Sequence, residues 1–341
     1  MRLYAGIDLH STNHVLAIMN DKGEHVFRRR IQNEVRDVQK HLLPYRDELA
    51  GIAIESTLNW YWLVDALLAL GYRVHLLNPL AIKPYLGLKH QDDRSDAFFL
   101  ADLLRLQIVK DGYIYPKAKR ALRDLLRKRL SFMRHRTSIC LSMENLFSRE
   151  TGRCLSQEQL MKLNEASVKQ SLADPLTQLA FFSHQRAFNF FTDEITAMEK
   201  VIHEEIPEDD EGVMRLQTIP GVGRLLSVTI LLETGDIGRF PRAGNYASYC
   251  RCCERKRESN QQSKGCALTQ NGNQYLAWAF VQASQVARRT DETIKAYYQK
   301  KCAKTHCAVA VKTIAHKLCL AAYYIQRRNE VFDVKRGFGE R

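Results

Sequence analysis

Apolar residues occur in short runs near the start of the chain, and their spacing predicts three strands followed by a helix. The strands are predicted at 3–9, 15–19 and 25–30. The turn residues Asn20-Asp21-Lys22-Gly23 separate the second strand from the third, which indicates a hairpin. A helix is predicted over 33–49.

Strands and helices then alternate. The pattern predicts strands at 51–55 and 72–77, with one helix over 60–70 and another from Ser95 onward. Helical crossovers join parallel strands, whereas tight turns join antiparallel ones. The order β-β-β-α-β-α-β-α therefore predicts an α/β domain of the ribonuclease-H-like type, by topological analogy.

Helical spacing continues through the middle of the chain. Leucines recur every three or four residues over 118–149 with arginines around them, which predicts one long basic helix. Residues 150–207 are also largely helical in pattern, so we expect a helical hairpin or coiled coil. The acidic segment 207–212 is the best domain boundary after it. The expected segments are 1–115, 116–207, 208–330 and a basic tail, 331–341.

The C-terminal part has the pattern of a mostly α-helical domain. Ile219-Pro220-Gly221-Val222-Gly223 precedes an apolar helix, as in a helix-hairpin-helix whose backbone N–H groups face a phosphate. An ordinary Pro-Gly turn between helices is the alternative. A polar, basic loop is expected over 251–265, followed by a helix that starts within 271–276 and runs to Arg289, and by a final helix over 308–327.

Composition narrows the class of partner. The chain has 341 residues, and its 45% hydrophobic and 26% charged residues are typical of globular proteins of about two domains. It carries 51 Lys and Arg against 38 Asp and Glu, a formal net charge of +13. Such a balance favours a polyanionic partner, with phosphate as the commonest candidate.

Three features predict a cytoplasmic protein in a reducing compartment. Asp8 interrupts the apolar run that a signal peptide needs, and no run of about 18 uncharged apolar residues predicts a membrane span. The nine cysteines are scattered and odd in number, so a disulfide framework is not expected. The cluster at 250–266 lacks the paired spacing of a zinc site.

Four acids are candidates for catalysis. Asp8 and Glu55 end neighbouring strands of the predicted sheet, and Asp93 and Asp96 share one face of a helix start. Converging carboxylates repel one another unless a cation joins them, and hard oxygen ligands suit one or two Mg²⁺ ions. Asp92 shares a face with Asp96 equally well, so the choice between Asp92 and Asp93 stays open.

A different enzyme class also begins with such an acid. Asp8 through Thr12, followed by a hairpin, is similar to the first phosphate loop of actin-like sugar kinases. Those enzymes need a glycine-rich turn at this point, and His10 occupies that place. The basic charge also fits a small-molecule kinase poorly.

Several short motifs together resemble one family, the DEDD transposases of the insertion-sequence 110 type, also called bridge-RNA-guided recombinases. The motifs are Gly6-Ile7-Asp8, Ile54-Glu55-Ser56, Asp93-Arg94-Ser95-Asp96-Ala97, Leu122-Arg123-Asp124-Leu125-Leu126, Arg134-His135-Arg136-Thr137, Ile219-Pro220-Gly221-Val222-Gly223, Gly235-Asp236-Ile237, Arg239-Phe240 and Gly272-Asn273-Gln274-Tyr275-Leu276. Each is weak alone, but together they cover nearly the whole chain. The resemblance implies a RuvC-like N-terminal domain with four metal-binding acids.

The resemblance also implies a nucleophilic serine. The family carries it about ten residues beyond a Tyr-Ala-Gly-type segment, and Ser259 lies ten residues beyond Tyr249. Asn260 stands where the family usually has Gly, and Ser263 is the alternative. The expected activity is cutting and rejoining double-stranded donor and target DNA through a serine-linked intermediate. The implied partners are a guide RNA and further copies of the chain, in a tetramer.

The residues expected to contact nucleic acid are the hairpin glycines and the cations of the basic helix and loop. They are Gly221, Gly223, Arg123, Arg127, Arg134, Arg136, Arg255, Lys256, Arg257 and Lys264. Two other functions remain open: a metal-dependent nuclease of the junction-resolving type that uses water, and a nucleic-acid-binding protein without catalysis.

Overall fold

The computed structural model describes residues 2–88, 93–108, 110–253, 255–259, 262–267 and 271–339; for 86–88, 93–95, 255–259 and 262–267 the description is of the backbone. The chain divides into two compact units, Met1–Lys117 and Ala118–Arg341. The four segments expected from the sequence are a finer division and stay a prediction.

The N-terminal unit is a five-stranded sheet with helices packed on both faces. Its elements are β1 (Leu3–Leu9), β2 (Asn13–Asn20), β3 (His25–Gln32), α1 (Val35–Leu42), β4 (Leu49–Glu55), α2 (Tyr61–Ala69), β5 (Val74–Leu77), α3 (Pro79–Ile82) and α4 (Asp93–Arg105), with 3₁₀ turns at Leu43–Tyr45 and Lys83–Leu88. The strand order is β3-β2-β1-β4-β5, antiparallel over the first three strands and parallel from β1 through β4 to β5. The predicted α/β class is confirmed.

The first helix is shorter than the sequence pattern predicts. The helix expected over 33–49 ends at Leu42, where a 3₁₀ turn takes over, and β4 already begins at Leu49. Pro44 explains the early end, because proline has no backbone N–H to donate to the carbonyl four residues before it.

The two faces of the sheet pack against different helices. Ile7 of β1 and Ile54 of β4 are fully buried in a cluster that includes residues of α1 and α2. The next residues along each strand point to the opposite face. On that face α4 lies directly on β1: a Cβ atom added to Gly6 would come 1.9 Å from the Ala97 carbonyl oxygen and 2.7 Å from the Ala101 nitrogen.

The C-terminal unit is mostly helical, as predicted. Its elements are α5 (Lys117–Thr151), α6 (Gln157–Lys162), α7 (Glu165–Ser171), α8 (Pro175–Glu205), α9 (Glu211–Gln217), α10 (Arg224–Thr234), α11 (Ala243–Tyr249), β6 (Arg255–Ser259), β7 (Gln262–Ala267), α12 (Gln274–Thr290), α13 (Glu292–Cys302), α14 (Cys307–Arg328) and α15 (Val334–Phe338), with a 3₁₀ turn at Ile237–Arg239.

The two longest helices, α5 and α8, form a hairpin. Near its base, the Arg129 Nε of α5 donates a hydrogen bond of 2.7 Å to Glu199 of α8. Near its tip, Phe147 and Phe181 are buried together with residues of the short helices α6 and α7. The expected helical hairpin therefore has an apolar core at its tip, and at its base, in addition to the polar contact, Leu126 packs with Met198 and Ile202.

The helices α10, α11, α12 and α14 share the largest core of the unit. Tyr246 lies fully buried at its centre, with its hydroxyl 2.8 Å from the Thr234 hydroxyl. Of the helices that the structure describes, α14 has the length and composition of a membrane span, but half of that window is buried inside the protein. This is weak evidence for a membrane.

The segment expected as a loop over 251–265 contains a hairpin instead. β6 and β7 pair in antiparallel fashion, from Arg255 opposite Ala267 to Ser259 opposite Gln262. The sequence gives little sign of it, because both strands are polar and lack the apolar alternation of a half-buried strand.

We predict that Gly6→Ala destabilises the N-terminal unit, because the added methyl group would overlap the backbone of α4. The expected loss is about 2 kcal/mol or more in the free energy of unfolding. Gly244→Ala is the control, since nothing lies within 4 Å of the Cβ position there, and alanine favours the α11 helix. Thermal unfolding followed by circular dichroism measures both. Equal midpoints for Gly6→Ala and the wild type would contradict the close packing of α4.

Candidate functional site

Two of the predicted acids lie side by side at one edge of the sheet. β1 and β4 are parallel, and Ile7 pairs with Ile54, so Asp8 and Glu55 each follow an aligned pair. Neighbouring strands lie about 4.8 Å apart. Because Ile7 and Ile54 face α1 and α2, both acids project from the other face, which α4 covers. Asp8 is 9% exposed.

A third acid approaches from the helix on that face. Asp96 immediately precedes Ala97, the α4 residue whose backbone touches β1 at Gly6. One carboxylate oxygen of Asp96 and one of Asp8 are buried. The close contact therefore brings the N-terminal half of α4 to the sheet edge that carries Asp8.

The fourth predicted acid, Asp93, is the first residue of α4, where the description covers the backbone. Its alternative, Asp92, lies outside the described residues. In the part of the chain whose side chains are described, no three His, Cys, Asp or Glu side chains form a group that would hold a metal ion. The convergence of all four carboxylates thus stays a prediction.

A histidine lies beside Asp8. The Nε2 atom of His10 is 3.3 Å from the Asp8 Oδ2 atom, and its side chain is partly exposed. The backbone carbonyl of His10 accepts hydrogen bonds from the side-chain amides of Asn33, at 3.0 Å, and Asn59, at 2.9 Å. Asn59 ties the turn after Asp8 to the loop that follows Glu55, and Asn33 ties the same turn to the segment that follows β3. The sequence analysis did not identify either asparagine. The available signal was that each is a polar residue just beyond the end of a strand.

A fully buried histidine supports the same turn from the opposite face. The Nδ1 atom of His14 lies 3.0 Å from the Asn33 Oδ1 atom. Burial lowers the pKa of His14 below its ordinary value of 6.5, although the hydrogen bond to Asn33 opposes this shift. His14 is therefore stable as a neutral imidazole.

The predicted nucleophile lies in the C-terminal unit. Ser259 is the last residue of β6 and pairs with Gln262, while its alternative, Ser263, pairs with Glu258. Both strands are described by their backbones. The two serines thus stand at neighbouring positions near the tip of one hairpin, and the choice between them stays a prediction.

The base of this hairpin segment is fixed by a buried network. The backbone N–H of Asn273 donates to the Tyr249 carbonyl at 2.6 Å, which joins the two ends of the excursion 250–272. The Asn273 side-chain amide donates to the Glu233 carboxylate at 2.6 Å, and its carbonyl oxygen caps α12 through the N–H groups of Tyr275 and Leu276. Asn273 therefore anchors the segment that carries Ser259 to α10.

Glu233 also binds Arg127 of α5. The guanidinium donates two hydrogen bonds to the carboxylate, at 2.6 and 2.7 Å, and lies over the Tyr275 ring. Burial alone lowers the pKa of Arg127, but the hydrogen bonds and charge of Glu233 outweigh it and raise that pKa above its ordinary value. Glu233 is 2% exposed. Sequence reasoning missed it because its partner lies far away along the chain.

The remaining predicted nucleic-acid contacts fall in different environments. Arg127 is occupied by Glu233, Arg123 is buried, Arg136 is partly buried near Phe188, and Arg134 is exposed. The cations Arg255, Lys256, Arg257 and Lys264 lie on the β6–β7 hairpin. Among the four predicted contacts on α5, Arg134 is thus the best placed for a phosphate, since Arg123, Arg127 and Arg136 are buried or partly buried.

The two glycines of the predicted helix-hairpin-helix, Gly221 and Gly223, have different roles. Gly221 has a φ of +80°, and a Cβ atom there would lie 2.2 Å from the Ala283 carbonyl oxygen of α12. It is therefore required for packing. Gly223 is the N-cap of α10, and nothing lies within 4 Å of its Cβ position. Gly223 leaves the start of α10 accessible.

We predict that stability falls below pH 6.5 because of His14. The unfolded chain takes up a proton near pH 6.5, whereas the folded protein resists it, so protonation favours unfolding as the pH falls below this value. The slope approaches about 1.4 kcal/mol per pH unit at most. Urea denaturation between pH 7.5 and 5 should show a shallower acid loss in His14→Gln. Identical pH profiles would contradict the assignment.

We predict that Glu233→Gln costs about 2–4 kcal/mol in the free energy of unfolding, because it leaves the partly buried Arg127 cation without the counter-charge of the buried Glu233. Glu211→Gln is the control: it removes an exposed pair with Arg215 in the same unit, which contributes less than about 0.5 kcal/mol. Chemical denaturation of the full chain compares the two variants. Equal losses in the free energy of unfolding would mean that the Glu233–Arg127 pair stabilises the protein no more than an exposed pair does.

Comparison with known families agrees with these features. A family model described as "Transposase", of the DEDD insertion-sequence 110 type, matches residues 5–149 and so includes the three described acids. A second model, described as "Transposase IS116/IS110/IS902 family", matches residues 213–299 and includes Glu233, Ser259 and Asn273. Together the two models cover about two thirds of the chain.

Individual relatives carry matching names. The chain is 22% identical over 281 residues to a "Probable family 20 transposase" of Pseudomonas aeruginosa, covering 79% of each chain. It is 20% identical over 290 residues to the "Transposase for insertion sequence element IS1328" of Yersinia enterocolitica, covering 83% of this chain and 85% of the relative. A transposase for the element IS1111A of Coxiella burnetii is 21% identical over 68% of this chain and 63% of its own. With two separate parts of the chain matched to one group of enzymes, the protein belongs to the insertion-sequence 110 family of DEDD transposases.

Proposed function

We propose that this transposase cuts and rejoins DNA strands at the ends of an insertion sequence through a covalent bond to Ser259. The observation that carries the proposal is the parallel pairing of β1 with β4, which sets Asp8 beside Glu55 on the face that α4 covers. The strand order β3-β2-β1-β4-β5 supports a ribonuclease-H-like relationship for this unit.

The chemistry of the four predicted acids suits a divalent metal ion. Carboxylate oxygens are the ligands that Mg²⁺ prefers, and buried oxygens of Asp8 and Asp96 point to a site shielded from bulk water. We assign one or two Mg²⁺ ions to Asp8, Glu55, Asp93 and Asp96. When bound, Mg²⁺ stabilises the negative charge on the oxygens of a phosphodiester under attack.

The chemistry assigned to Ser259 is a phosphoryl transfer. Its hydroxyl oxygen forms a bond to phosphorus and loses its proton, while the bond from phosphorus to the 3′ oxygen breaks and that oxygen takes up a proton. The products are a 5′-phosphoserine link and a free 3′-hydroxyl. Rejoining is the reverse step, in which a 3′-hydroxyl attacks the phosphoserine, so no outside energy source is required.

Backbone binding accounts for the basic character of the chain. The net charge of +13, the exposed Arg134 and the accessible start of α10 at Gly223 suit contacts to phosphates, which position nucleic acid without reading its sequence. Sequence choice is then assigned to a guide RNA that pairs with donor and target DNA, and strand exchange to a tetramer. Both rest on the resemblance to the family.

We predict that Ser259→Ala abolishes the covalent protein–DNA adduct, lowering strand cleavage at least about 10³-fold, because the nucleophile is lost. Ser263→Ala is the matched control and keeps both adduct and cleavage, since it changes the other serine of the same hairpin. Denaturing electrophoresis of the protein with end-labelled DNA from the ends of its element, in Mg²⁺, reports adduct and cleavage together.

Two outcomes would contradict this assignment. A Ser259→Ala protein that still cuts without an adduct would be a nuclease that uses water. An adduct lost in Ser263→Ala and kept in Ser259→Ala would exchange the roles of the two serines. Asp8→Asn should stop cleavage in either case; cleavage that survives it would remove the carboxylates from the reaction.

A further inference from the structure

Three consecutive arginines lie on an exposed edge of the sheet. Arg28, Arg29 and Arg30 belong to β3, the edge strand next to β2, and all three are exposed. None of them forms an ion pair with any residue that the structure describes. Their charges are therefore available to a partner.

The strand register separates these arginines between the two faces of the sheet. Arg30 pairs with Val15 and Arg28 with Ala17, whereas Arg29 pairs with Leu16. Val15 and Ala17 pack against Ala97 of α4. Leu16 lies in the cluster on the α1 and α2 face. Arg28 and Arg30 thus project from the α4 face and Arg29 from the opposite one.

Arg30 also lies level with Asp8, one of the predicted metal-binding acids. Val15, its partner on β2, pairs in turn with Asp8 on β1. Asp8 and Arg30 are therefore two strand spacings apart in one row across the sheet, about 10 Å between their Cα atoms. Arg28 lies one step back in the next row on this face, level with Gly6.

We propose that Arg28 and Arg30 bind the phosphate backbone of the DNA strand that is cut, beside the phosphodiester held at Asp8. A guanidinium matches phosphate oxygens with two parallel N–H groups, and it stays charged at any working pH. DNA is the partner because the row begins at the proposed cleavage edge. Charges that only protect an edge strand from aggregation would serve equally well on either face, so the asymmetry between the faces is what the experiment tests.

This inference rests on the proposed function, and the full chain tests it by binding rather than by cleavage. The probe is a duplex carrying one end of the element, and its affinity is measured at several NaCl concentrations for Arg28→Ala/Arg30→Ala and for Arg29→Ala. Each phosphate contact that is lost lowers the slope of log K against log [salt] by about one. The double variant should therefore lose about two units of slope and about tenfold in affinity at low salt.

Matched controls make the result decisive. Arg29→Ala removes one arginine from the same strand and should leave the slope unchanged, and Arg28→Lys/Arg30→Lys should restore the slope that the double alanine variant loses. An equal loss of slope per arginine removed, about one unit in Arg29→Ala against two in the double variant, would reduce the effect to general charge and overturn the proposal, as would an unchanged slope in the double alanine variant. Ser259→Ala should bind with the full slope, so a failure of the serine chemistry is seen separately in the adduct assay.

Discussion

The candidate site depends on a contact in which no side chain takes part. At Gly6 the backbone of β1 meets the backbone of α4 at Ala97 and Ala101 so closely that even a methyl group would overlap it. Interiors are close-packed, so a helix held at this distance cannot shift without moving the strand. Because Asp96 precedes Ala97 and Asp8 follows Gly6 by two residues, the same contact fixes the two acids relative to each other.

In the C-terminal unit, a network of charged and polar groups, rather than close backbone packing, holds the segment that carries Ser259 in place. A carboxylate as buried as that of Glu233 is costly to desolvate, and it is tolerated because a two-pronged guanidinium and an amide both donate to it. The same Asn273 that donates to Glu233 also caps α12 and joins the ends of the segment that carries Ser259. A polar network of this kind fixes one arrangement, since each member satisfies the others.

Sequence patterns predicted the parts of the fold that depend on local spacing. The strands of the N-terminal sheet, the long helices and the acids at the strand ends follow from the periods of the apolar residues and from strand order. The β6–β7 hairpin could not be predicted in this way, because its strands are polar. The role of Glu233 could not be predicted either, because its partner Arg127 lies 106 residues away along the chain. Helical spacing shows that Arg123 and Arg127 share a basic helix, but only tertiary packing shows that one is buried and the other paired.

The positions of the charged residues say more about binding than the net charge of the protein does. The net value of +13 predicts an anionic partner and nothing about where that partner lies. The sheet register decides this, since it puts Arg28 and Arg30 on the face of Asp8 and Arg29 on the other face. Carboxylates that hold cations repel the phosphates of a DNA strand when the cations are absent, so nearby arginines offset that repulsion along the strand. An acidic edge flanked by exposed arginines on the same face suits a polyanion whose reacting phosphate needs metal ions and whose neighbouring phosphates need only counter-charge.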